Sequence, residues 1–349
     1  MTEAAMRRAA ERIERVGRDC VDGRVLRELL LGEIGRHVDY DAYAWVLTDP
    51  ETEVGSDPLA DVPCFSELPR LIRLKYSTEV NRWTGLRAPV ALLHASTNEH
   101  LEQALVWREL LSNYQVNDIA SLVFRDRFGC WAFLDLWRTG ASRPFRAADV
   151  EYLTAIAPKV TARLRRLQAA TFDGAQPAHD RQGPVVMVLS PGLEVRAQTI
   201  DTDAYLRALV PLEGDRQPVP AGAYNVGAQL IAHELGVDGH PPRARVYLRR
   251  GTWLTLSAAR MAGPETAADI AVTIEAASAH DRMDLFSRAH ALSRREAELM
   301  FALARGSDTR QLAEDLFVSE NTIQDHLKSI FVKTGARSRR ALLARALGN

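Results

Sequence analysis

The chain has 349 residues, of which 46% are hydrophobic and 26% charged, and its net charge is −1. At roughly 150 residues per domain this length suggests two or three domains, and the composition excludes a chain dominated by disorder or built as a collagen-like repeat. No apolar run approaches the roughly 18 residues of a membrane span, the charged N-terminus shows no secretory-signal pattern, and the near-zero net charge requires any nucleic-acid surface to be local.

Residues 1–22 read as a charged helix continuing into a second one, in which Val25, Leu26, Leu29, Leu30 and Ile34 recur at helical spacing. A strand is expected over Ala42 to Thr48, with Asp49-Pro50 as its turn, then helices over 68–78 and 99–114. Two strands, 119–125 and 130–137, are joined by the turn Asp126–Gly129, and a long helix, 149–170, should kink at Pro158. The polar stretch 170–184 reads as a linker. Beyond it a hairpin over 185–199, helices over 203–210 and 221–235, and strands over 243–249, 252–258 and 269–276 argue for an antiparallel sheet with helices on one face. From His280 the chain is helical to its end.

That last block carries the functional signal. Ser293 with Glu296, and Asp308 with Gln311, have capping-box spacing. Ser319 is placed to cap a further helix after a three-residue connection, which makes a helix-turn-helix. On that helix Ile323, Leu327, Ile330 and Thr334 form the stripe to be buried, and Asn321, Gln324, Asp325, Lys328 and Val332 the opposite one. Gln can bond adenine bidentately, Asp can accept from cytosine and Lys can donate to guanine. Lys333, Arg337, Arg339, Arg340 and Arg345 gather at the rim, and residues 320–349 carry a net +4 on a chain that totals −1. A charge run alone is usually a solvated face; here caps, turn, segregated stripes and local charge agree on a phosphate-facing patch.

Residues 290–348 resemble the LuxR-type DNA-binding domain of bacterial transcription regulators. The matching residues are Leu292-Ser293-x-x-Glu296, Gly306, Leu312-Ala313-x-x-Leu316, Val318-Ser319, Thr322-Ile323-x-x-His326-Leu327, Ile330, Lys333 and Arg337-Ser338-Arg339. The wording TIQDHLKSIFVKTGARSR is similar to an actinobacterial group of that family. The resemblance implies a helix, 319–334, that enters the major groove of double-stranded DNA, with base-reading positions at Asn321, Gln324, Asp325 and Lys328. It implies phosphate contacts at Thr309, Arg310, Thr322, Lys333, Arg337 and Arg339. Many members carry a basic residue where this chain has Gln324, which alters the expected operator rather than the expected activity. A homodimer and contact with RNA polymerase are further expectations.

The N-terminal residues resemble a GAF domain through HVDYDAYAWVLTDP, Cys130-Trp131, LDLWR and Pro144-Phe145, and the middle unit fits a PAS-like order of strands and helices. The expected fold is therefore multi-domain: a GAF-like α+β unit (1–170), a linker (171–183), a PAS-like α+β unit (184–278), a connecting helix (279–291) and an all-α helix-turn-helix domain (292–349). Trp45, Phe65, Trp83, Trp107, Trp131 and Phe133 are the candidates to line a small-molecule pocket, against the alternative that they are core packing. The helices 1–22 and 149–170 are candidates for a bundle between subunits.

His233, Glu234, Asp238 and His240 lack the spacing of a helical zinc site, because Gly236 and Gly239 interrupt them, and read as a surface loop. Cys20, Cys64 and Cys130 form no CxxC pair, so neither a disulfide framework nor a zinc site is suggested and a cytoplasmic setting fits. Phe65 and Trp131 beside Cys64 and Cys130 favour inert burial of those thiols. Neither a metal nor a cofactor is expected. No GxSxG, P-loop, HExxH or dinucleotide-binding glycine turn is present, which argues against an enzyme. The remaining alternative is a signalling scaffold whose C-terminal helices contact protein.

Overall fold

The computed structural model describes residues 3–16, 20, 22–173, 184–203, 206, 220–248, 252–263 and 268–348. The first unit opens with α1 (Glu3–Arg15) and α2 (Gly23–Gly35). The second helix begins at Gly23 as expected, whereas the first ends at Arg15 rather than running to residue 22. The Asp22 carboxylate starts α2 afresh by accepting from the backbone N–H of Arg24 (2.8 Å) and Val25 (3.1 Å). There follow β1 (Ala42–Thr48), β2 (Gly55–Asp61), α3 (Leu68–Ser77), β3 (Val90–Leu92), short helices α4 (Leu93–Ser96) and α5 (Leu105–Glu109), the long hairpin β4 (Val116–Asp126) and β5 (Gly129–Thr139), and α6 (Ala147–Ala170). The sheet is antiparallel in the order β2-β1-β5-β4-β3.

Two strands had no sequence signal. β2 is polar and holds Pro58, which an edge strand tolerates because its N–H side need not pair; β3 is three residues long. The helix expected over 99–114 is broken into 3-10 turns around α5. Helix α6 runs continuously through Pro158.

Both faces of this sheet are covered. Ala42, Ala44 and Val46 of β1 pack with Leu71 and Ile72 of α3 on one side. Trp45 faces Leu26 and Leu30 of α2 and Ile156 of α6 on the other. In β5 the register slips: Phe124 pairs with Ala132 but Arg125 with Cys130. Trp131 is the extra residue of this bulge, and it joins the face of Ala132 while Cys130 and Phe133 belong to the opposite one.

The second unit contains β6 (Val185–Leu189), β7 (Val195–Gln198), α7 (Ala221–Glu234), β8 (Arg243–Leu248), β9 (Thr252–Arg260) and β10 (Ile270–Ala276), ordered β7-β6-β10-β9-β8. The relative strand order is the same as in the first sheet. The expected hairpin and three strands are present; the helix expected over 203–210 falls mostly outside the described residues. Helix α7 is buried nearly all round because it lies between its own sheet and α3 and β2 of the first unit. At Gly227 a Cβ would come within 2.9 Å of Leu193 Cδ2, so a larger residue there would require the Leu193 side chain to shift.

The units are joined through Arg245 of β8, which holds Asp49, Glu51 and, on the connecting helix α8 (Ala279–Ala289), Asp284. After α8 come α9 (Arg294–Ala304), α10 (Thr309–Asp315), α11 (Glu320–Thr334) and α12 (Arg339–Leu347). Thr171–Asp173, expected to open the linker, are pinned instead: Phe172 is buried, stacks on Trp253 and meets Phe286 of α8 edge-on. The remainder of that linker, 174–183, lies outside the described residues. No helix among the described residues is long and apolar enough to cross a membrane.

Candidate nucleic-acid interface

Each helix of the C-terminal domain starts where its capping residue stands. Ser293 Oγ accepts from Glu296 N–H (3.3 Å) while the Glu296 carboxylate accepts from Ser293 N–H (2.6 Å). Asp308 and Gln311 make the same reciprocal pair at 2.9 and 3.0 Å. Ser319 Oγ accepts from Thr322 N–H (3.1 Å), and Ser338 Oγ from Ala341 N–H (3.1 Å). Gly335 closes α11 at φ 69°, in the left-handed region that glycine enters freely.

Helix α11 is split lengthwise as its spacing predicts. Ile323, Leu327, Ile330 and Thr334 are buried, whereas Asn321, Gln324, Asp325, Lys328 and Val332 are exposed. Lys328 Nζ lies 3.0 Å from Asp325 Oδ1, and both side chains are about three-quarters exposed. Such a pair is worth little and opens readily. The row is therefore free, polar and mixed in charge.

The rim is less uniform. Arg337 and Arg340 are exposed. Arg339 donates to Thr309 Oγ1 (2.8 Å), which places two expected phosphate contacts side by side. Arg310 pairs with Glu314 on the surface (3.1 Å), and the hydroxyls of Thr322 and Ser319 share a 2.9 Å bond. Lys333 is bound most firmly: its Nζ donates to the buried Glu296 carboxylate at 2.6 Å, and Ser329 Oγ donates to the same carboxylate at 2.6 Å. Although burial opposes ionisation, Lys333, Ser329 and the Ser293 cap hold Glu296 down to a pKa of about 2. The pair locks α9 to α11. Arg345 reaches back to Thr334 C=O (2.5 Å) and to Asp173. Sequence reasoning missed Ser329, which shares a helix face with Lys333 at i,i+4, and Phe317, a fully exposed side chain at φ 55° in the turn before α11.

The six aromatic pocket candidates do not converge. Trp83 and Phe133 stack at 5.4 Å on the α3 side of the first sheet, where Trp83 Nε1 donates to Asp135 Oδ1 (2.9 Å) and Lys75 Nζ sits 2.9 Å from Asp135 Oδ2. The enclosed space there is about 30 Å³, and Asn225 of α7 closes it. Trp131, sent to the other face by its bulge, lines a larger cavity of about 220 Å³ between the two units, together with Tyr247 and Trp253. Trp45 stacks on Phe124 in the core, Phe65 is half exposed, and Trp107 donates to Val116 C=O (2.7 Å) beside the sheet. Lys75, Asp135 and Asn225 had no sequence signal, because a charged or polar side chain, on the strand of Asp135 or on the helices of Lys75 and Asn225, reads as an outward position.

Among the described residues no cluster of metal-ligating side chains occurs. Asp238 instead ties the units together: it accepts from Gln229, Arg82 and Thr84 and pairs with His240 at 2.7 Å. Burial pushes the Cys64 and Cys130 thiols up to about 11 and 12, so both stay protonated at neutral pH.

This geometry defines a helix-turn-helix with a free reading face, and residues 290–346 match the family described as "Bacterial regulatory proteins, luxR family". The C-terminal domain is thus a LuxR-family helix-turn-helix, a domain of DNA-binding transcription regulators. Over 59 residues, 17% of this chain, it is 41% identical to the "Probable HTH-type transcriptional regulator GfsR" of Streptomyces halstedii; the match spans 24% of that relative's length. Among solved structures, SdiA in complex with octanoyl-rac-glycerol aligns over 100% of this chain and 96% of its own at 11% identity and a TM-score of 0.34. Escherichia coli SdiA aligns over 99% and 97% at 13% identity and 0.35. At TM-scores this low neither likeness bears on the fold or ligand of this chain.

Proposed function

We propose that the whole chain is a cytoplasmic, sequence-specific transcription regulator that reads the major groove with α11. The observation that carries this reading is the exposed row Asn321, Gln324, Asp325 and Lys328 on a helix whose opposite face is buried. Its donors and acceptors suit base edges. Arg337, Arg339 and Arg340 flank it for phosphates, with Thr309, Arg310 and Thr322 at the edge. Lys333 serves first to hold α11 on α9 and only secondarily to meet a phosphate. In this reading the two like-ordered sheets are GAF-like and PAS-like sensor units, regulated by a small molecule or a protein signal, and two copies bind two half-sites about one helical turn apart and engage RNA polymerase.

The test is a titration of duplex DNA with the purified chain at several salt concentrations. A DNA reader loses affinity steeply as salt rises, because cations are released from the phosphates. Absence of binding, or binding with no salt slope, would favour the scaffold reading instead.

A further inference from the structure

Helix α2 turns an apolar stripe outward. Val25 and Leu29, which share the helical spacing of Leu26, Leu30 and Ile34, are 45% and 47% exposed, while Leu26, Leu30, Leu31 and Ile34 are buried. At 100° per residue Val25, Leu29, Gly32 and Arg36 fall on one narrow face. Gly32 stands in the middle of the helix at a position where a Cβ would meet nothing within 4 Å. A mid-helix glycine weakens a helix relative to alanine, and nothing among the described residues requires one there.

We propose that this stripe is the centre of a two-fold contact with a second copy of the same chain. When two α2 helices pack antiparallel, Val25 of one falls opposite Gly32 of the other, and the symmetry repeats the pair. A β-branched side chain then enters the space that the missing Cβ leaves, which allows a close interaxial approach. The two-fold axis then falls between residues 28 and 29, beside Leu29. The charges agree with this register, because Arg36, 71% exposed and paired along its own helix with Glu33, comes within one residue of Asp22 of the second copy. Antiparallel alignment also sets the helix dipoles head to tail. The proposal deepens the dimer in the reading above by naming its face, and the face differs from the expected bundle of α1 and α6, which pack on each other within one chain.

The experiment is sedimentation velocity on the full chain over a range of concentrations, with Leu29→Glu and Gly32→Ala beside the wild type. Both substituted positions are exposed, so the fold is spared, and circular dichroism with thermal melting verifies it. The wild type is expected to be a dimer and Leu29→Glu a monomer. Gly32→Ala is expected to melt higher when diluted to monomer, yet to dissociate at least tenfold more readily. A merely structural glycine would not give those opposite signs. A monomeric wild type, or dimers unaffected by both substitutions, overturns the proposal. Binding of the same samples to a duplex too short for two copies separates this outcome from failure of the DNA-binding reading: Leu29→Glu should keep that binding and lose only the gain from a second half-site.

Discussion

Arg245 closes on Asp49 through two bonds of 2.7 Å, Nε to Oδ2 and Nη2 to Oδ1, with both side chains buried and the two residues 196 positions apart in sequence. The remaining donors of the guanidinium reach Glu51, Asp284 and the carbonyl of Asp281. One side chain therefore joins the first unit, the second unit and the helix that leads to the DNA-reading domain. Burial opposes the charge on Arg245, but these acids outweigh it and raise its pKa further.

Removing one partner leaves the other charged and dry. Arg245→Met is expected to cost about 3–5 kcal/mol, the usual penalty for breaking a buried pair from one side. Urea denaturation followed by fluorescence measures it. Replacing Arg245 and Asp49 together by apolar residues should cost less than either single change; a double variant as weak as the sum of the two would contradict this account of the joint.

Glu296 makes the C-terminal domain acid-sensitive in a defined window. Its carboxyl is held at about 2 in the fold, below the ordinary 4.5. A depressed carboxyl contributes stability that is fully present above the unfolded value and lost as pH falls from about 4.5 toward 2. In Glu296→Gln this part of the pH slope should disappear, and α11 should loosen from α9, which amide hydrogen exchange in residues 320–334 would report.

His290 acts at higher pH. Burial beside Phe172 and Phe286 lowers its pKa to about 4 from 6.5. The unfolded chain takes up this proton first, so stability should fall as pH drops from 6.5 to 4 and level off below. His290→Phe should flatten that interval without altering the Glu296 window. A variant with an unchanged slope between pH 6.5 and 4 would assign the titration elsewhere.

Phe172 is the peg between the second unit and the connecting helix. Phe172→Ala leaves a hole among Trp253, Phe286 and His290, and about 3–5 kcal/mol of stability should be lost. Since Asp173 beside it meets Arg345 of α12, limited proteolysis should cut the chain near residue 173 faster in the variant.

Local chemistry was legible in the sequence and long-range chemistry was not. The caps Ser293, Asp308 and Ser319, the two stripes of α11 and the β4–β5 hairpin follow from spacings of two to four residues, and the structure places each where its spacing puts it. Val25 and Leu29 share the spacing of the buried Leu26, Leu30 and Ile34 yet lie half exposed, because helical periodicity marks an apolar face without saying how much of it the rest of the chain covers. Trp131 was grouped with Phe133 because alternation places them on one face, and only the bulge separates them. The first sheet is covered on both faces, so its strands show near-continuous apolar runs that hide which side each residue serves. Arg245 looked like one more basic residue in RARVYLRR, since its partners lie far away in the chain.

The most direct test of the central claim is selection of bound sequences from random duplex DNA by the full chain and by its Gln324→Ala variant. If α11 reads bases, the wild type enriches a defined motif and the variant changes the preference at the position Gln324 contacts, while Arg337→Ala weakens all sequences about equally. A wild type that enriches nothing, or a Gln324→Ala variant that selects an identical motif, would contradict it.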